Sequence, residues 1–326
     1  RDLIASGERQ EHMNAFGGED RFWIGPEGGQ FSIYFKQGDP FDFAHWQVPA
    51  AFDWEPFEVV SKDSGRVAFH KEMQFVNYSG TPFEVAVDRE VRLLGDAEIR
   101  EALGTTGDLT SDVVAFESVN EITNTGEDAW TKDTGLLSVW ILGQFNPSPA
   151  ATIVIPYVPG PEDQLGRVVN DAYFGEVPSD RLVVEDSVIY FSGDGTYRSK
   201  IGLSPARSRS VLGSYDAQNH VLTLVTYNKP EGVTDYVNSM WEIQERPFGG
   251  DVVNSYNDGP PAPGAKPLGP FYEMETSSPA AALEPGGSIT HVHRTFHIQG
   301  PEEELNRIAL STLGVPLSDI EGAFAE

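Results

Sequence analysis

Two glutamates and a set of histidines lie close together in residues 271–298, FYEMETSSPAAALEPGGSITHVHRTFHI. Glu273 and Glu275 are two residues apart, so on a β-strand both side chains point to the same face. His291 and His293 alternate in the same way on the next predicted strand. If these two strands are neighbours, a carboxylate lies beside an imidazole, and such a pair can act as base and acid near neutral pH.

The histidines could also present a metal-binding face, because imidazole is the commonest protein ligand for transition metals. Alternate positions along a strand are about 6.6 Å apart. His291, His293 and His297 could therefore bind one ion only on a strongly bent strand. A hydrogen-bonded histidine in the interior is the more common alternative. We predict no metal and no cofactor, with calcium left open.

A second cluster occupies residues 16–31, FGGEDRFWIGPEGGQF. Arg21 offers a planar set of hydrogen-bond donors, Trp23 an apolar face and Glu27 a carboxylate, while the glycines allow close approach of a ligand. This mixture suits a sugar, which has hydroxyls at its rim and C–H groups on its faces. The alternative is that Arg21 pairs with a nearby carboxylate and Trp23 belongs to the core.

Trp140 in SVWILGQF and Asn257 in NSYNDG are further candidates for binding a substrate. Trp140 could equally be a core residue, and Asn257 is typical of a turn. Motifs of other enzyme classes are absent from the sequence: we find no GxxxxGK[ST], no GxGxxG between a strand and a helix, no HExxH and no GxSxG. Phosphoryl transfer and serine hydrolysis are therefore disfavoured.

The chain is strongly acidic, and this disfavours two classes of partner. Its 22 Lys and Arg residues against 50 Asp and Glu residues give a net charge of −28. A field of that sign repels nucleic acid and anionic lipid. No cysteine occurs, which excludes disulfides, thiolate nucleophiles and zinc–cysteine sites. No apolar run approaches the ~20 residues of a membrane span, so we predict no membrane insertion.

The elements that must position these residues are short β-strands. Runs of alternating or continuous apolar residues recur along the chain, each bounded by turn residues such as NYSGTP, NTGED and EPGG. The predicted strands are 28–35, 66–75, 83–94, 113–124, 136–145, 152–158, 182–191, 220–227, 271–276 and 288–298. Helical periodicity occurs only after Pro301, in EEELNRIALSTLG. We predict one all-β domain over residues 1–300, with a helical tail over residues 301–326 packed on it.

The run METSSPAAALEPGGSITHVHRTFHI resembles the closing segment of aldose 1-epimerases, the galactose mutarotases. In that family a strand carrying LET leads to PGE and then to a final strand of alternating His, Thr and aromatic residues. The resemblance implies a β-supersandwich of large antiparallel sheets, with Glu275 as the catalytic base. FGGEDRFWIGPEGGQFSIYF, NSYNDGP and YEMETSSPAAAL also resemble an uncharacterised, mostly exported bacterial family of the same superfamily.

One departure from the epimerase pattern concerns the acid. Epimerases carry their acid histidine in an NHxYFNL-like motif on a mid-chain strand, whereas the corresponding strand here reads SVWILGQF with Trp140 near that place. We therefore expect His293 to replace it as the acid, with His291, Arg21, Trp23, Glu27, Trp140 and Asn257 binding the substrate.

Two functions remain open on this basis. The first is an enzyme that epimerises a sugar at the anomeric carbon or cleaves a glycosidic or uronate bond, with an isomerase favoured over a lyase or hydrolase. The second is a non-catalytic carbohydrate-binding protein with the same groove. In both, the partner is a mono- or oligosaccharide, and the sequence leaves the oligomeric state open. The resemblance to exported proteins predicts a periplasmic or secreted location, and the start at Arg1 fits a cleaved export signal as well as a trimmed chain.

Overall fold

Two antiparallel sheets contain the fifteen β-strands found in the computed structural model, which describes residues 5–15, 18–105, 109–262 and 264–325. Phe16 and Gly17, the first two residues of the cluster at residues 16–31, lie outside the described residues. The smaller sheet has five strands. In spatial order these are β1 (Gly18–Gly25), β6 (Ser138–Phe145), β14 (Tyr272–Ser277), β13 (Val253–Asn257) and β10 (Ser199–Leu203).

The larger sheet has ten strands, and its order brings together strands from the whole length of the chain. From one edge to the other they are β2 (Glu58–Lys62), β3 (Arg66–Val76), β4 (Pro82–Leu93), β5 (Asp112–Asn124), β15 (Ser288–Gln299), β12 (Val221–Tyr227), β11 (Val211–Asp216), β7 (Ala151–Pro156), β9 (Val188–Ser192) and β8 (Leu182–Val184). β14 and β15 follow each other in the sequence but belong to different sheets.

Five short helices accompany the sheets in the described residues. They are α1 (Ala50–Asp53), α2 (Asp96–Ala102), α3 (Glu162–Leu165), α4 (Glu302–Thr312) and α5 (Leu317–Gly322). α4 begins after Pro301 with three acidic residues in its first turn, where they complement the positive end of the helix dipole. Leu305 and Ile308 of α4 pack with Leu224 and Phe296 of the larger sheet. The predicted all-β fold with a short helical tail is confirmed.

The inner face of the smaller sheet packs on the larger sheet. Met274 of β14 lies in one core cluster with Ile153, Leu212 and Val225 of the larger sheet. Loops cover the opposite, outer face, so that all residues of β6, β10, β13 and β14 are buried. Any polar side chain on either face of this sheet is therefore enclosed, and an enclosed polar group needs a partner or a function.

Two predicted strands are wrong. Residues 182–191 form two paired strands, β8 and β9, rather than one. Residues 28–35 form turns, and the strand of this region is β1 at Gly18–Gly25. The chain leaves the sheet because Gly28 approaches the backbone of Met240 too closely to carry a Cβ, while Gly29 has φ +83°. The apolar side chains Ile33, Tyr34 and Phe35 are all buried rather than alternately exposed, and the segment packs over the outer face of the sheet.

Candidate functional site

The outer face of the smaller sheet carries a group of ionisable side chains that we call the carboxyl cluster, formed by Glu27, Lys200, Glu273 and Glu275. In the antiparallel register Glu273 lies opposite Tyr256, which in turn lies opposite Lys200 on β10. Side chains at paired positions share a face. The two glutamates of β14 therefore point to the same side, as their spacing predicted, and Lys200 points there with them.

Glu275 lies at the centre of this cluster and is fully buried. Its Oε2 accepts hydrogen bonds from the Trp140 indole Nε1 at 2.9 Å and from the Lys200 Nζ at 3.1 Å. Its Oε1 is buried and has no hydrogen-bond partner among the described residues. The carboxylate thus has one oxygen fixed by two donors and one oxygen left for another group to bind.

Glu273 has a different environment on the same strand. Its Oε1 accepts a hydrogen bond from the Gln144 Nε2 at 2.8 Å. Burial and the nearby Glu275 raise the pKa of Glu273 to about 8, although Lys200, Gln144 and Arg21 offset part of that rise. At neutral pH Glu273 therefore holds a proton. Burial likewise raises the pKa of Glu27, and Lys200 offsets part of that effect.

Lys200 is the cation that compensates the charge of the cluster. Burial lowers its pKa, but the carboxylates of Glu275, Glu27 and Glu273 outweigh burial, and the net pKa is raised. Lys200 is thus charged at neutral pH although it is only 5% exposed. Its Nζ also lies 4.6 Å from the centre of the Trp140 ring, a cation–π contact that adds to its stabilisation.

Aromatic side chains surround a small cavity beside the cluster. The lining residues include Glu27, Lys200 and Glu273 together with Trp23, Trp46, Trp140, Trp241, Phe174 and Tyr256. The cavity measures about 40 Å³. A space of that size holds about three water molecules, whereas ligand pockets measure about 300–1,000 Å³. The site is therefore closed in this structure.

Two connections hold the segments that close the cavity. Asp53 of α1 accepts hydrogen bonds from the Asn14 backbone nitrogen at 3.1 Å and from Arg21, and so fixes the segment that contributes Met13 to the cavity. Asp258 accepts from the Gly269 backbone nitrogen at 2.8 Å and from the Tyr256 hydroxyl at 2.9 Å. These connections hold Met13 and the segment at Gly269 over the cavity.

The structure brings four of the predicted site residues together. Trp23, Glu27, Trp140 and Glu275 all lie at the carboxyl cluster or its cavity. Arg21 lies at the edge of the same face, but its Nη2 forms an ion pair with Asp53 at 2.5 Å, which is the alternative considered from the sequence. Arg21 therefore holds a covering segment, and its Nη1 is buried without a partner among the described residues.

Asn257, which we predicted to bind substrate, does not lie at the carboxyl cluster or its cavity. Its side chain points to the inner face, the side opposite Tyr256. The Oδ1 accepts from the Gly195 backbone nitrogen at 2.8 Å, and the Nδ2 donates to Asp194 and to the Tyr197 carbonyl. Asn257 fixes the turn that precedes β10.

The predicted pairing of Glu275 with His293 is wrong. His291 and His293 project from β15 into the interior between the sheets, where both are fully buried. The Thr276 Oγ1 lies 2.8 Å from the His291 Nε2 and 2.9 Å from the His293 Nδ1. Thr276 is adjacent to Glu275 in the sequence and therefore points to the opposite face of β14. The sheet itself separates the two histidines from the carboxyl cluster, so neither His291 nor His293 reaches a ligand there.

Lys200 and Glu273 are functional candidates to which the sequence pattern alone assigned no role. Lys200 is one of few lysines in an acidic chain and occurs inside an otherwise apolar strand, SKIGL. A lysine in such a strand is buried only when a carboxylate accompanies it, and this is the signal that could have identified it. Trp46 and Trp241 come from loops, whose positions the sequence does not indicate.

No group of three His, Cys, Asp or Glu side chains in the described ranges could hold a metal ion. Within the same ranges, no helix is long and apolar enough to cross a membrane.

Comparison with known proteins gives one family and several structural likenesses. The model of a family of unknown function, DUF6786, matches residues 1–324. No curated protein matches the chain. A candidate aldose 1-epimerase from Escherichia coli K12 is 13% identical over 86% of this chain and 84% of its own, with a TM-score of 0.49. A galactose mutarotase-like protein from Lactobacillus casei ATCC 334 is 9% identical over 85% and 84%, with a TM-score of 0.43. At such identities the likeness concerns the fold alone.

Proposed function

We propose that this chain, which belongs to the DUF6786 family of unknown function, is a carbohydrate-active enzyme that performs acid–base chemistry on a sugar. Glu275 is the base. Glu273 takes the role of the acid, in place of the histidine expected from the sequence. The leading candidate reaction is epimerisation at the anomeric carbon.

The observation that carries the proposal is the arrangement of two carboxyl groups at one buried surface. Glu275 has one oxygen bound by Lys200 and Trp140 and one oxygen without a partner among the described residues. Glu273 stands two residues away on the same face and lines the cavity. Burial favours the neutral form of Glu273 and raises its pKa. A carboxyl group that keeps its proton beside a second carboxyl group bound by an ammonium group is suited to acid–base catalysis.

The lining of the cavity supports a sugar as the substrate. Trp23, Trp46 and Trp241 offer apolar faces for the C–H groups of a pyranose ring, and Glu27 and Lys200 offer hydrogen bonds to hydroxyls. Ligand sites commonly combine aromatic walls with a few convergent polar groups. Buried ionisable groups with shifted pKa values are a further mark of a functional site.

The proposed reaction leaves the enzyme unchanged after each cycle. Glu275 removes the proton of the anomeric hydroxyl while Glu273 donates its proton to the ring oxygen, so that the bond between C1 and the ring oxygen breaks. The open-chain aldehyde then rotates about the bond between C1 and C2. Reclosure returns the proton of the ring hydroxyl to Glu273 and the proton on Glu275 to the new anomeric hydroxyl. Such general acid–base steps typically contribute about 10²–10⁴-fold each.

Access to this site requires the cavity to open. The connections made by Asp53 and Asp258 close it over Met13 and Leu268, and a sugar ring needs several times the present volume. Opening of loops on the microsecond to millisecond timescale is common in enzymes that exclude water during the reaction.

The test is a pair of isosteric variants, Glu275→Gln and Glu273→Gln, assayed on a panel of aldoses by NMR exchange between the anomers. We expect turnover of every active sugar to fall at least about 100-fold in each variant. Glu304→Gln is the matched control, because Glu304 is also buried but accepts hydrogen bonds from Thr110 and Ser111 on the larger sheet's side. Activity that survives in Glu275→Gln would remove the base from the proposal.

A non-catalytic sugar-binding protein is the second candidate. One observation favours it: the Glu275 carboxylate is already engaged by Lys200 and Trp140, as in a structural ion pair. Calorimetry with the same aldoses separates the two functions. Binding of a sugar without any change in anomer exchange, in the wild type, supports this second candidate and excludes the first.

A further inference from the structure

A second, larger space opens on the outer side of the smaller sheet. This groove measures about 950 Å³ and lies between residues 164–170, 202–210, 229–240 and 246–251. Its volume falls within the range of small-molecule sites. The polar side chains Asn170, Ser204, Ser210, Thr234 and Asn238 line it, which suits a ligand rich in hydroxyl groups.

Three cations line this groove, Arg167, Lys229 and Arg246, and none of them forms an ion pair with a carboxylate of the described residues. Burial raises the pKa of the Asp251 carboxyl, and the charge of Arg167 offsets part of that rise. Arg167 and Arg246 are exposed, and their guanidinium groups form no ion pair, hydrogen bond or aromatic contact with any of the described residues. Among the arginines that the structure describes, only Arg100 shares this condition. Lys229 donates to the Pro205 carbonyl at 3.1 Å and to the Ser208 carbonyl, neither of which carries a charge.

A groove lined by more cations than carboxylates is unexpected in this chain. The protein carries a net charge of −28, and carboxylates are available to pair with almost any surface arginine. Only two acidic residues, Glu231 and Asp251, line the groove within the described ranges. An arginine that stays unpaired beside polar groups is well placed to bind a planar carboxylate with two parallel hydrogen bonds.

The groove reaches the carboxyl cluster through a single layer of side chains. The Asp251 Oδ2 accepts hydrogen bonds from the Asn170 Nδ2 at 2.9 Å and from the Tyr173 hydroxyl at 2.8 Å. On its other side, the ring of Tyr173 lies 5.5 Å from the Lys200 Nζ. The Asp251 carboxylate also packs so closely on Gly202 that a Cβ there would lie 2.2 Å from it. A chain of linked sugar units could therefore extend from one space into the other once this layer moves.

We propose that the groove binds a carboxylated sugar unit, with Arg167 and Arg246 pairing with its carboxylate, so that the substrate of the neighbouring site is an acidic oligosaccharide. This inference rests on the proposed function, because it assigns the sugar bound near Glu275 to the same molecule.

The experiment is calorimetric titration of the full chain with three uronate tetrasaccharides, which are built from galacturonate, glucuronate or mannuronate units. Each is compared with the same tetrasaccharide after reduction of its carboxylates to alcohols. We expect at least one acidic probe to bind, with a Kd at least tenfold lower than that of its reduced form and with weaker binding at high salt. Absence of binding by every acidic probe, or equal affinity for the reduced form, overturns the inference.

The double variant Arg167→Gln/Arg246→Gln places that preference in the groove. We expect it to raise the Kd of the acidic probe at least tenfold and to leave the reduced probe unaffected. Arg66→Gln is the matched control, because Arg66 is a half-exposed arginine of β3 that pairs with Glu90 on the larger sheet. An equal loss of affinity in Arg66→Gln shows a general charge effect and contradicts the groove.

Turnover by the Glu275→Gln variant, compared with probe binding by the double variant, separates this inference from the proposed function. If Glu275→Gln loses turnover while the double variant keeps the wild-type preference for the acidic probe, the groove proposal fails and the enzyme proposal stands. If the double variant loses the acidic preference while Glu275→Gln turns over sugars at the wild-type rate, the catalytic proposal fails instead.

Discussion

The two faces of β14 bury polar groups in contrasting ways. On the outer face, Glu273 and Lys200 line a cavity, and Glu275 is bound by Lys200. On the inner face, Thr276 contacts His291 and His293 in the interior between the sheets. Burial opposes charge on both faces. On the outer face Lys200 compensates the carboxylates, whereas on the inner side the positive charge of Arg89 opposes protonation of His293. Charge therefore persists at the carboxyl cluster, whereas the histidine pair is neutral.

The difference has opposite consequences for pKa values. Burial lowers the pKa of both histidines to about 3, and each is surrounded by neutral partners or by a further positive charge. On the outer face burial raises the pKa of Glu273 to about 8. Acid–base chemistry near neutral pH is thus available on the outer face only, and the histidines that the sequence put forward as acids serve the packing of the two sheets.

At neutral pH, loss of the compensating cation is the largest effect we expect. Lys200→Met leaves Glu275 buried with only the Trp140 indole as a donor, and removing one partner of a buried pair costs about 3–5 kcal/mol. Urea unfolding at pH 7 measures the loss. The double variant Lys200→Met/Glu275→Gln should recover part of it, since no charge is then left unpaired. A Lys200→Met protein as stable as the wild type would show that Glu275 needs no cation.

Low pH should destabilise the folded protein, because His291 and His293 at the inner face bind protons more readily in the unfolded chain. The histidine pKa values are near 6.5 in the unfolded chain and about 3 in the folded protein, so between these values the unfolded state binds more protons. Stability is fully present above pH 6.5 and falls as the pH drops toward 3. Each unit of pKa difference is worth about 1.4 kcal/mol.

The measurement is the free energy of unfolding at several pH values between 6.5 and 4, for the wild type and for His293→Asn. The variant has a lower stability at pH 7 but should show a shallower decline, because one titrating group is gone. His70→Asn is the control, since His70 is partly exposed and pairs with Asp88 on the larger sheet. An unchanged slope in His293→Asn contradicts the assignment.

A smaller loss should follow removal of the hydroxyl that links the histidines. Thr276→Val keeps the shape of the side chain and leaves the His291 Nε2 and the His293 Nδ1 without their shared partner. Unpaired buried polar groups cost about 1–3 kcal/mol. Thermal unfolding measures the loss, and turnover at a permissive temperature should stay unchanged because Thr276 faces away from Glu275. A fall in turnover without loss of stability would mean that the two faces are coupled.

The smallest effect that we expect is a loss of stability at alkaline pH, when Glu273 on the outer face ionises. Glu273 has a raised pKa in the folded state, so its contribution to stability is fully present below about pH 4.5 and is lost as the pH rises through about 8. Between pH 7 and 9 this amounts to about 1 kcal/mol. Glu273→Gln should abolish that part of the alkaline decline. An identical decline in wild type and variant would assign it to other groups.

Local features of this site could be predicted from the sequence. Alternation along a strand places Glu273 and Glu275 on one face and Thr276 on the other, and the helical tail after Pro301 follows from its apolar spacing and acidic first turn. These features depend on neighbours within a few residues. The same reasoning mistook residues 28–35 for a strand, because the contact of Gly28 with Met240 joins distant parts of the chain.

The pairing of strands could not be predicted from local sequence patterns. β14 and β15 are consecutive, which made it natural to pair Glu275 with His293, but β14 pairs with β6 and β13 whereas β15 pairs with β5 and β12. Which face of β14 meets the larger sheet depends on the packing of whole sheets. For the same reason Lys200, on β10, could not be assigned to Glu275 from spacing alone.

The protonation of Glu273 at neutral pH is the central claim, and NMR of the glutamate side-chain carboxyl carbons tests it most directly. Uniformly ¹³C-labelled protein is titrated from pH 5 to 10, and Glu273→Gln assigns the signal. We predict a carboxyl resonance in the protonated range at pH 7 that titrates near pH 8 and is absent from the variant. A Glu273 signal that is already fully ionised at pH 6 would contradict the account, because the outer face would then hold no acid.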